Sequence, residues 1–309
     1  MIKEKSTITI FGGSGFIGAN LVKKLAKLDF KINLVQSHNN EHNYLYIHGF
    51  PGQICNIKFE NTKQFYEEIF SNTDYVINLI GILREINGRT FRYSHVDIPK
   101  NISNYANNLA IKKLIHISSL GIEKTCKFSE YAKTKLKGEK IILKNYSKAT
   151  IIRPSVVFGN ADKFINNLIK LIRTFPFFPL VNKGHVFFQP IFVEDLTDII
   201  IKILLMENTD FYGKIYEVGG PDKLTFLQII NEIYKALNNP PRYFSINHSI
   251  MKIISYLSVI IKSFPINPEE VDLLLINNVV KSENLADKLK INTTPLNFFI
   301  QKQLYNITS

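Results

Sequence analysis

A short apolar run, Thr7-Ile-Thr-Ile-Phe11, leads at once into Gly12-Gly-Ser-Gly-Phe-Ile-Gly18, and a helical pattern follows over 19–28. Strand, glycine loop and helix in that order leave few folds open. One glycine permits the tight turn, one lets the backbone approach a pyrophosphate, and one allows helix and strand to touch. The helix start then offers unpaired N–H groups and the positive end of its dipole to the phosphates. The spacing is G-x-x-G-x-x-G with Gly13 in addition. Gly12, Gly13, Ser14, Gly15, Phe16, Ile17 and Gly18 are therefore the candidate phosphate-binding residues.

Further apolar strands are expected at 31–36, 55–60, 75–79, 114–119 and 150–157, with helix-like segments at 62–70, 98–109 and 129–143 between them. Strands alternating with helices of this length read as βαβ units. The rhythm changes after Gly159. A helix over 163–173 gives way to Pro176, Pro179 and Gly184, a strand is expected at 187–193, and a helix at 195–206. From Thr225 the chain reads as mostly helical, over 226–237, 250–261 and 269–277. The expected fold class is α/β, a Rossmann-like doubly wound parallel sheet with a smaller, mostly helical C-terminal substrate or docking portion. The boundaries are 1–160 for the nucleotide-binding domain, with 186–221 returning to its sheet, and 161–185 with 222–309 for the smaller portion.

Composition settles which partners are excluded. Of 309 residues, 38 are Lys or Arg and 26 Asp or Glu, a net charge of +12. Most of the excess lies in 100–173, where Lys133, Lys137, Lys140, Lys144 and Lys148 recur at helical spacing as one solvated stripe. Aromatic residues do not interleave with that stripe, so nucleic acid is not an expected partner. Cys55 and Cys126 are too few for a disulfide scaffold, and the histidines form no metal-binding spacing. The first strand begins so near Met1 that no leader peptide is expected, which implies a cytoplasmic protein. The longest apolar stretch, 253–261, falls well short of the roughly 18 residues of a spanning helix.

At the end of the second strand an Asp or Glu would bind the adenine ribose of NAD. Gln36-Ser37-His38 stands there instead, and no Lys or Arg follows until Lys58. The missing carboxylate favours NADP(H), with NAD(H) the alternative. Farther on, Tyr131 and Lys135 lie at i and i+4 of an expected helix and share one face. Lys135 falls off the lysine stripe, which suits an inward role.

The motifs G-G-S-G-F-I-G, N-L-I-G-I-L, H-I-S-S-L-G, Y-A-K-T-K-x-x-G-E, R-P-S-V-V-F-G, F-Q-P-I-F-V-E-D and Y-E-V-G-G-P follow one another from 7 to about 221. This series resembles the extended and atypical short-chain dehydrogenase/reductases, in particular the alpha-subcomplex subunit 9 family of respiratory complex I and its bacterial homologues. The resemblance implies that Tyr131 exchanges a proton with substrate while Lys135 holds the nicotinamide ribose and lowers the tyrosine pKa. It implies a polarising serine at Ser118 or Ser119. Asn78, Leu79 and Gly81 would pass beside the cofactor, and Arg153, Pro154 and Ser155 would border the nicotinamide. Gln189 and Asp195 read instead as structural.

The resemblance also implies tightly held NADP(H) and attachment to a membrane complex. Three functions stay open on this reading: a redox enzyme acting on a small or lipid-like carbonyl, an assembly protein that holds nucleotide structurally, and a nucleotide-sugar epimerase or dehydratase. A respiratory membrane complex or an acidic membrane surface is the expected partner. The place of action is then the cytoplasm, peripherally at the inner face of the membrane.

Overall fold

The structure is a computed structural model that describes residues 5–37, 43–85, 88–207, 209–260 and 266–308. Its strands are β1 (Thr7–Phe11), β2 (Lys31–Gln36), β3 (Ile54–Lys58), β4 (Tyr75–Asn78), β5 (Lys113–Ile117), β6 (Thr150–Pro154), β7 (Val157–Phe158), β8 (Phe178–Val181), β9 (Phe187–Phe188), β10 (Ile191–Phe192), β11 (Ile215–Val218), β12 (Leu224–Thr225) and β13 (Tyr243–Ile246). The α-helices are α1 (Phe16–Leu25), α2 (Lys63–Ser71), α3 (Ile98–Asn108), α4 (Ile122–Thr125), α5 (Glu130–Asn145), α6 (Phe164–Thr174), α7 (Val193–Leu205), α8 (Phe226–Ala236), α9 (His248–Ser255), α10 (Leu257–Ile260), α11 (Pro268–Leu273), α12 (Leu285–Lys288) and α13 (Leu296–Thr308).

Seven strands form one parallel sheet in the order β11-β6-β5-β4-β1-β2-β3. Every residue of β1, β5 and β6 is buried, as a parallel sheet covered on both faces requires. The order reverses at β1, which pairs with β2 on one side and β4 on the other. Ligands of open α/β sheets bind outside the carboxyl ends of the strands at such a reversal. The Rossmann-like fold is as expected.

The chain divides into two compact units. The first comprises Met1–Ser118, Thr134–Arg153 and Leu196–Tyr216, and the second Ser119–Lys133, Pro154–Asp195 and Glu217–Ser309. In the first, Phe11, Tyr66, Phe70 and Val76 pack with Ile98, Ile102 and Ile142 as one apolar cluster. Buried Lys113 in this unit donates to the carbonyls of Ile203, Leu204 and Met206, closing the C-terminal end of α7 with a cation.

In the second unit, Phe158, Ile165, Phe188, Phe226 and Ile230 form a separate core, and Thr225 with Gln228 makes a capping box at α8. Residues 187–193 do not make one strand of the large sheet. Pro190, which has no N–H to give a ladder, separates β9, antiparallel to β12, from β10, parallel to β7. Within 186–221 it is β11 that joins the seven-stranded sheet. The helix expected over 250–261 breaks at Tyr256 into α9 and α10.

Candidate functional site

The glycine loop lies in the first unit at the end of β1, and its glycines divide the work. Gly12 has φ +75°, and its N–H donates to Val35 O at 3.2 Å. A Cβ on Gly13 would sit 2.2 Å from Leu34 Cδ1, and one on Gly18 2.4 Å from Gly13 Cα. These two are glycine because strand and helix close upon them. Gly15 differs. It is exposed, its φ of −73° and ψ of 176° suit any residue, and a Cβ there would meet only Gly12 O, at 3.3 Å. The turn does not ask for glycine at this position, and a side chain there would need Gly12 O to give by only a few tenths of an ångström. It caps α1, whose N-terminus has no side-chain cap and no acid in its first turn. Such a helix start leaves its N–H groups open to an anion.

Beside this loop runs the segment after β4. Leu79 N–H donates to Phe11 O at 2.9 Å, Ile80 N–H to Asn78 Oδ1 at 3.0 Å, and Ile82 N–H to His95 Nε2 at 3.1 Å. Gly81 is left exposed, and a Cβ on it would lie 3.8 Å from Lys135 Nζ. The strap therefore passes from the phosphate loop to the lysine. Asn78 shapes it from below: its Oδ1 accepts from Ile80, so its Nδ2 donates to His116 Nδ1 at 3.1 Å. His95 is fixed by the same logic. Nε2 accepts, so Nδ1–H donates to Thr134 Oγ1 at 3.0 Å. Both imidazoles are buried and neutral, His95 held down to about 3 and His116 well below its ordinary range, by burial first and then by the charge of Lys135.

Lys135 itself is buried and donates to Ile117 O at 2.9 Å. Burial lowers its amine to about 8, against the opposing pull of Glu139. Ser118 Oγ is buried without a hydrogen-bond partner. At the end of β2, Gln36 is buried with both amide atoms unpartnered, and exposed Ser37 accepts from Arg89 Nη2 at 2.6 Å. His38 lies outside the described residues. No sequence pattern marked Arg89, because the loop that carries it enters by tertiary folding.

In the second unit, Tyr131 is buried and its phenol hydrogen-bonds Ser119. Burial raises the phenol pKa and nearby Glu269 adds to the rise, while the Ser119 bond opposes both. Ser129 Oγ donates to Glu269 Oε2 at 2.5 Å and accepts from Ala132 N–H, opening α5. The two candidate serines thus differ: Ser119 is bonded to Tyr131, and Ser118 lies in the other unit with an orphaned hydroxyl.

Three of the expected cofactor residues are engaged within the protein. Arg153 forms a buried two-bond fork with Glu139, at 2.9 and 2.6 Å. Pro154 O accepts from Leu120 N–H, and Ser155 Oγ lies 2.6 Å from Asn278 Oδ1. Asn278 also reaches Leu120 O and Val156 N–H, a clamp the sequence did not advertise. Gln189 Nε2 donates to Gly220 O, and Asp195 accepts from Thr294 N–H. Among the described residues no three His, Cys, Asp or Glu gather as a metal site, and no helix is long and apolar enough to cross a membrane.

The first unit therefore fits a dinucleotide on its own observations: an open glycine at a helix start, an orphaned amide at the end of β2, and an orphaned serine near a buried lysine. Residues 8–219 match the family described as NAD dependent epimerase/dehydratase family. The chain is 30% identical over 304 residues to NADH dehydrogenase (ubiquinone) 1 alpha subcomplex subunit 9, mitochondrial, of Dictyostelium discoideum, covering 93% of this chain and 81% of that protein. It is 28% identical to the Arabidopsis thaliana protein of the same name, covering 95% and 77%. Among solved structures it resembles UDP-glucuronic acid 4-epimerase of Bacillus cereus, with a TM-score of 0.73 at 15% identity over 98% of this chain and 99% of that one. A dTDP-glucose 4,6-dehydratase of Bacillus anthracis str. Ames gives 0.73 at 14%, over 98% and 96%. Both were solved with NAD, and at such identity the likeness is one of fold.

Proposed function

Since the chain belongs to the NAD dependent epimerase/dehydratase family, and to that of the alpha subcomplex subunit 9 proteins of NADH dehydrogenase, we propose that it holds a nicotinamide dinucleotide, NADP(H) in preference to NAD(H), and reduces or oxidises a small or lipid-like substrate. Gly12–Gly18 and the start of α1 would hold the pyrophosphate. Leu79–Gly81 borders the cofactor by its backbone. When bound, the nicotinamide supplies hydride transfer. Lys135 would hold the nicotinamide ribose; the Tyr131 phenol is raised by burial, and the expected lowering by Lys135 is not among the influences on it. Tyr131 Oη gives or takes the proton at the substrate oxygen, and Ser119 orients that phenol.

The observation that carries this reading is Gly15, exposed at a helix start in a backbone conformation that does not itself require glycine. Gly15→Val is expected to weaken NADPH binding at least tenfold, as read by nucleotide fluorescence, without loss of the fold. Tyr131→Phe is expected to keep binding and lose turnover. A Gly15→Val protein that bound NADPH as well as the parent would sink the cofactor reading, and a turnover undiminished in Tyr131→Phe would sink the mechanism.

A second reading has its own observation. On α9 and α10, Ile250, Ile253, Ile254, Tyr256 and Leu257 are all exposed, Ile253 at 71%. So large an apolar ridge marks an interaction surface, and relatives named as NADH dehydrogenase subunits suggest its occupant. On this reading the protein docks on a membrane-associated respiratory complex at the cytoplasmic face and keeps its nucleotide as a structural element.

A further inference from the structure

We infer that Arg89, carried on the loop after β4, reads the 2′-phosphate of NADP(H), a role that the residues following β2 do not fill. The inference rests on the cofactor reading above and names the residue that sets its nucleotide preference. The end of β2 carries no cation of its own: Gln36 is its last residue and Ser37 the next. Arg89 nevertheless arrives there from 52 residues away, its Nη2 donating to Ser37 Oγ at 2.6 Å.

A serine hydroxyl is a neutral acceptor. It uses one of five guanidinium N–H groups and compensates none of the charge. Among the described residues Arg89 makes no ion pair. A guanidinium presented this way suits a phosphate, which it can bind through two parallel hydrogen bonds.

Gln36 supplies the second, independent observation. It is 4% exposed, yet its Nε2 and Oε1 find no partner. A buried amide left unsatisfied bears the cost of its lost hydration, and a ribose hydroxyl suits either atom. The sheet register adds another cation. Gln36 pairs with Lys58 on β3, and Phe59 N–H donates to Gln36 O at 2.8 Å. Residues paired in parallel register point to the same face, so Lys58 shares a face of the sheet with Gln36. Its contact with Glu60, at 3.9 Å between two exposed side chains, is a weak one. The serine hydroxyl and guanidinium, one residue beyond the orphaned amide, are the groups assigned to a phosphorylated ribose. A carboxylate, the usual bar to that phosphate, is replaced by Gln36.

The test uses the full chain stripped of nucleotide and measures, by calorimetry, the Kd of NADPH, NADH, 2′,5′-ADP and 5′-ADP. The parent is expected to bind NADPH over NADH, and 2′,5′-ADP over 5′-ADP, by about tenfold or more. Arg89→Gln should weaken NADPH and 2′,5′-ADP by about tenfold and leave NADH and 5′-ADP within about twofold, with Arg89→Lys recovering part of the loss. Arg89 is exposed, so folding is not at stake. NADPH binding unmoved by Arg89→Gln would overturn this inference alone. A parent that binds NADH as tightly as NADPH would overturn it too. Binding of neither dinucleotide would overturn the cofactor reading, and this inference with it.

Discussion

Lys135 carries an ammonium into a place where water cannot reach it, and the protein bears the cost. Its folded pKa of about 8 lies below the ordinary 10.5 because burial disfavours the charge. Below pH 8 both folded and unfolded chains hold this proton, and the folded state bears the full penalty. Between about pH 8 and 10.5 the folded chain has released the proton while the unfolded chain keeps it, so stability rises with pH. Lys135→Met should therefore stabilise the nucleotide-free protein at pH 7 by roughly 1–3 kcal/mol in urea unfolding, while weakening NADPH binding. A less stable Met variant would show that the amine is not held against its own burial. His95 works in the acid range. Its folded pKa of about 3 leaves it neutral where the unfolded histidine, near 6.5, takes up a proton. Stability should fall as pH drops from about 6.5, by about 1.4 kcal/mol per unit for each such histidine. Unfolding at pH 6.5 and 4.5 should show a smaller loss in His95→Gln, which keeps an acceptor for Ile82 N–H. An equal loss in both proteins would place the acid sensitivity elsewhere.

Helix α5 was the most legible element, and it shows where legibility stops. Its lysines at spacings of three and four are exposed, while Tyr131 and Lys135, off that stripe, are buried; periodicity alone separates the two faces. The same helix hides two contacts that periodicity could not reveal. Glu139 and Arg153 pair only because β6 returns beside α5. Gly138 is glycine because the π-helical turn Tyr93–Asp97 brings His95 O to 2.0 Å from where its Cβ would stand. A π-turn is set by what packs upon it, and the residues around His95 carry no local mark of one. For the same reason the sheet and the glycine loop were readable, their signals lying within a few residues, whereas Arg89 beside Ser37 and Asn278 beside Ser155 were not. Gly138→Ala tests the packing. Helix propensity would gain about 1 kcal/mol from alanine, but the obstacle is backbone, which cannot swing aside. A net loss of roughly 1–3 kcal/mol is expected in thermal or urea unfolding. A gain in stability would mean that the π-turn yields to α5.

The apolar ridge of the second unit bears on what the whole molecule is for. A frayed helix could expose isoleucines by accident, but α9 is anchored. Its other face places Met251 in a cluster with Val181 and Val271, and buried Asp272 of α11 accepts from both His248 and Lys252. The fold thus fixes one face of α9 and turns Ile250, Ile253 and Ile254 outward. On the docking reading, covering what is exposed of Ile250 and Ile253, 54% and 71%, would contribute roughly 1–2 kcal/mol apiece, enough for the two together to set how firmly the protein stays on its partner. Replacing Ile250 and Ile253 together by serine should move the protein from the membrane to the supernatant fraction of its own cells by about tenfold or more, with NADPH affinity unchanged, since neither side chain belongs to the dinucleotide subsites. Were the parent itself found wholly in the supernatant, or the double variant to stay with the membrane as the parent does, the ridge would have no such partner. The free redox enzyme, resting on Gly15, Tyr131 and Lys135, would then be the reading left.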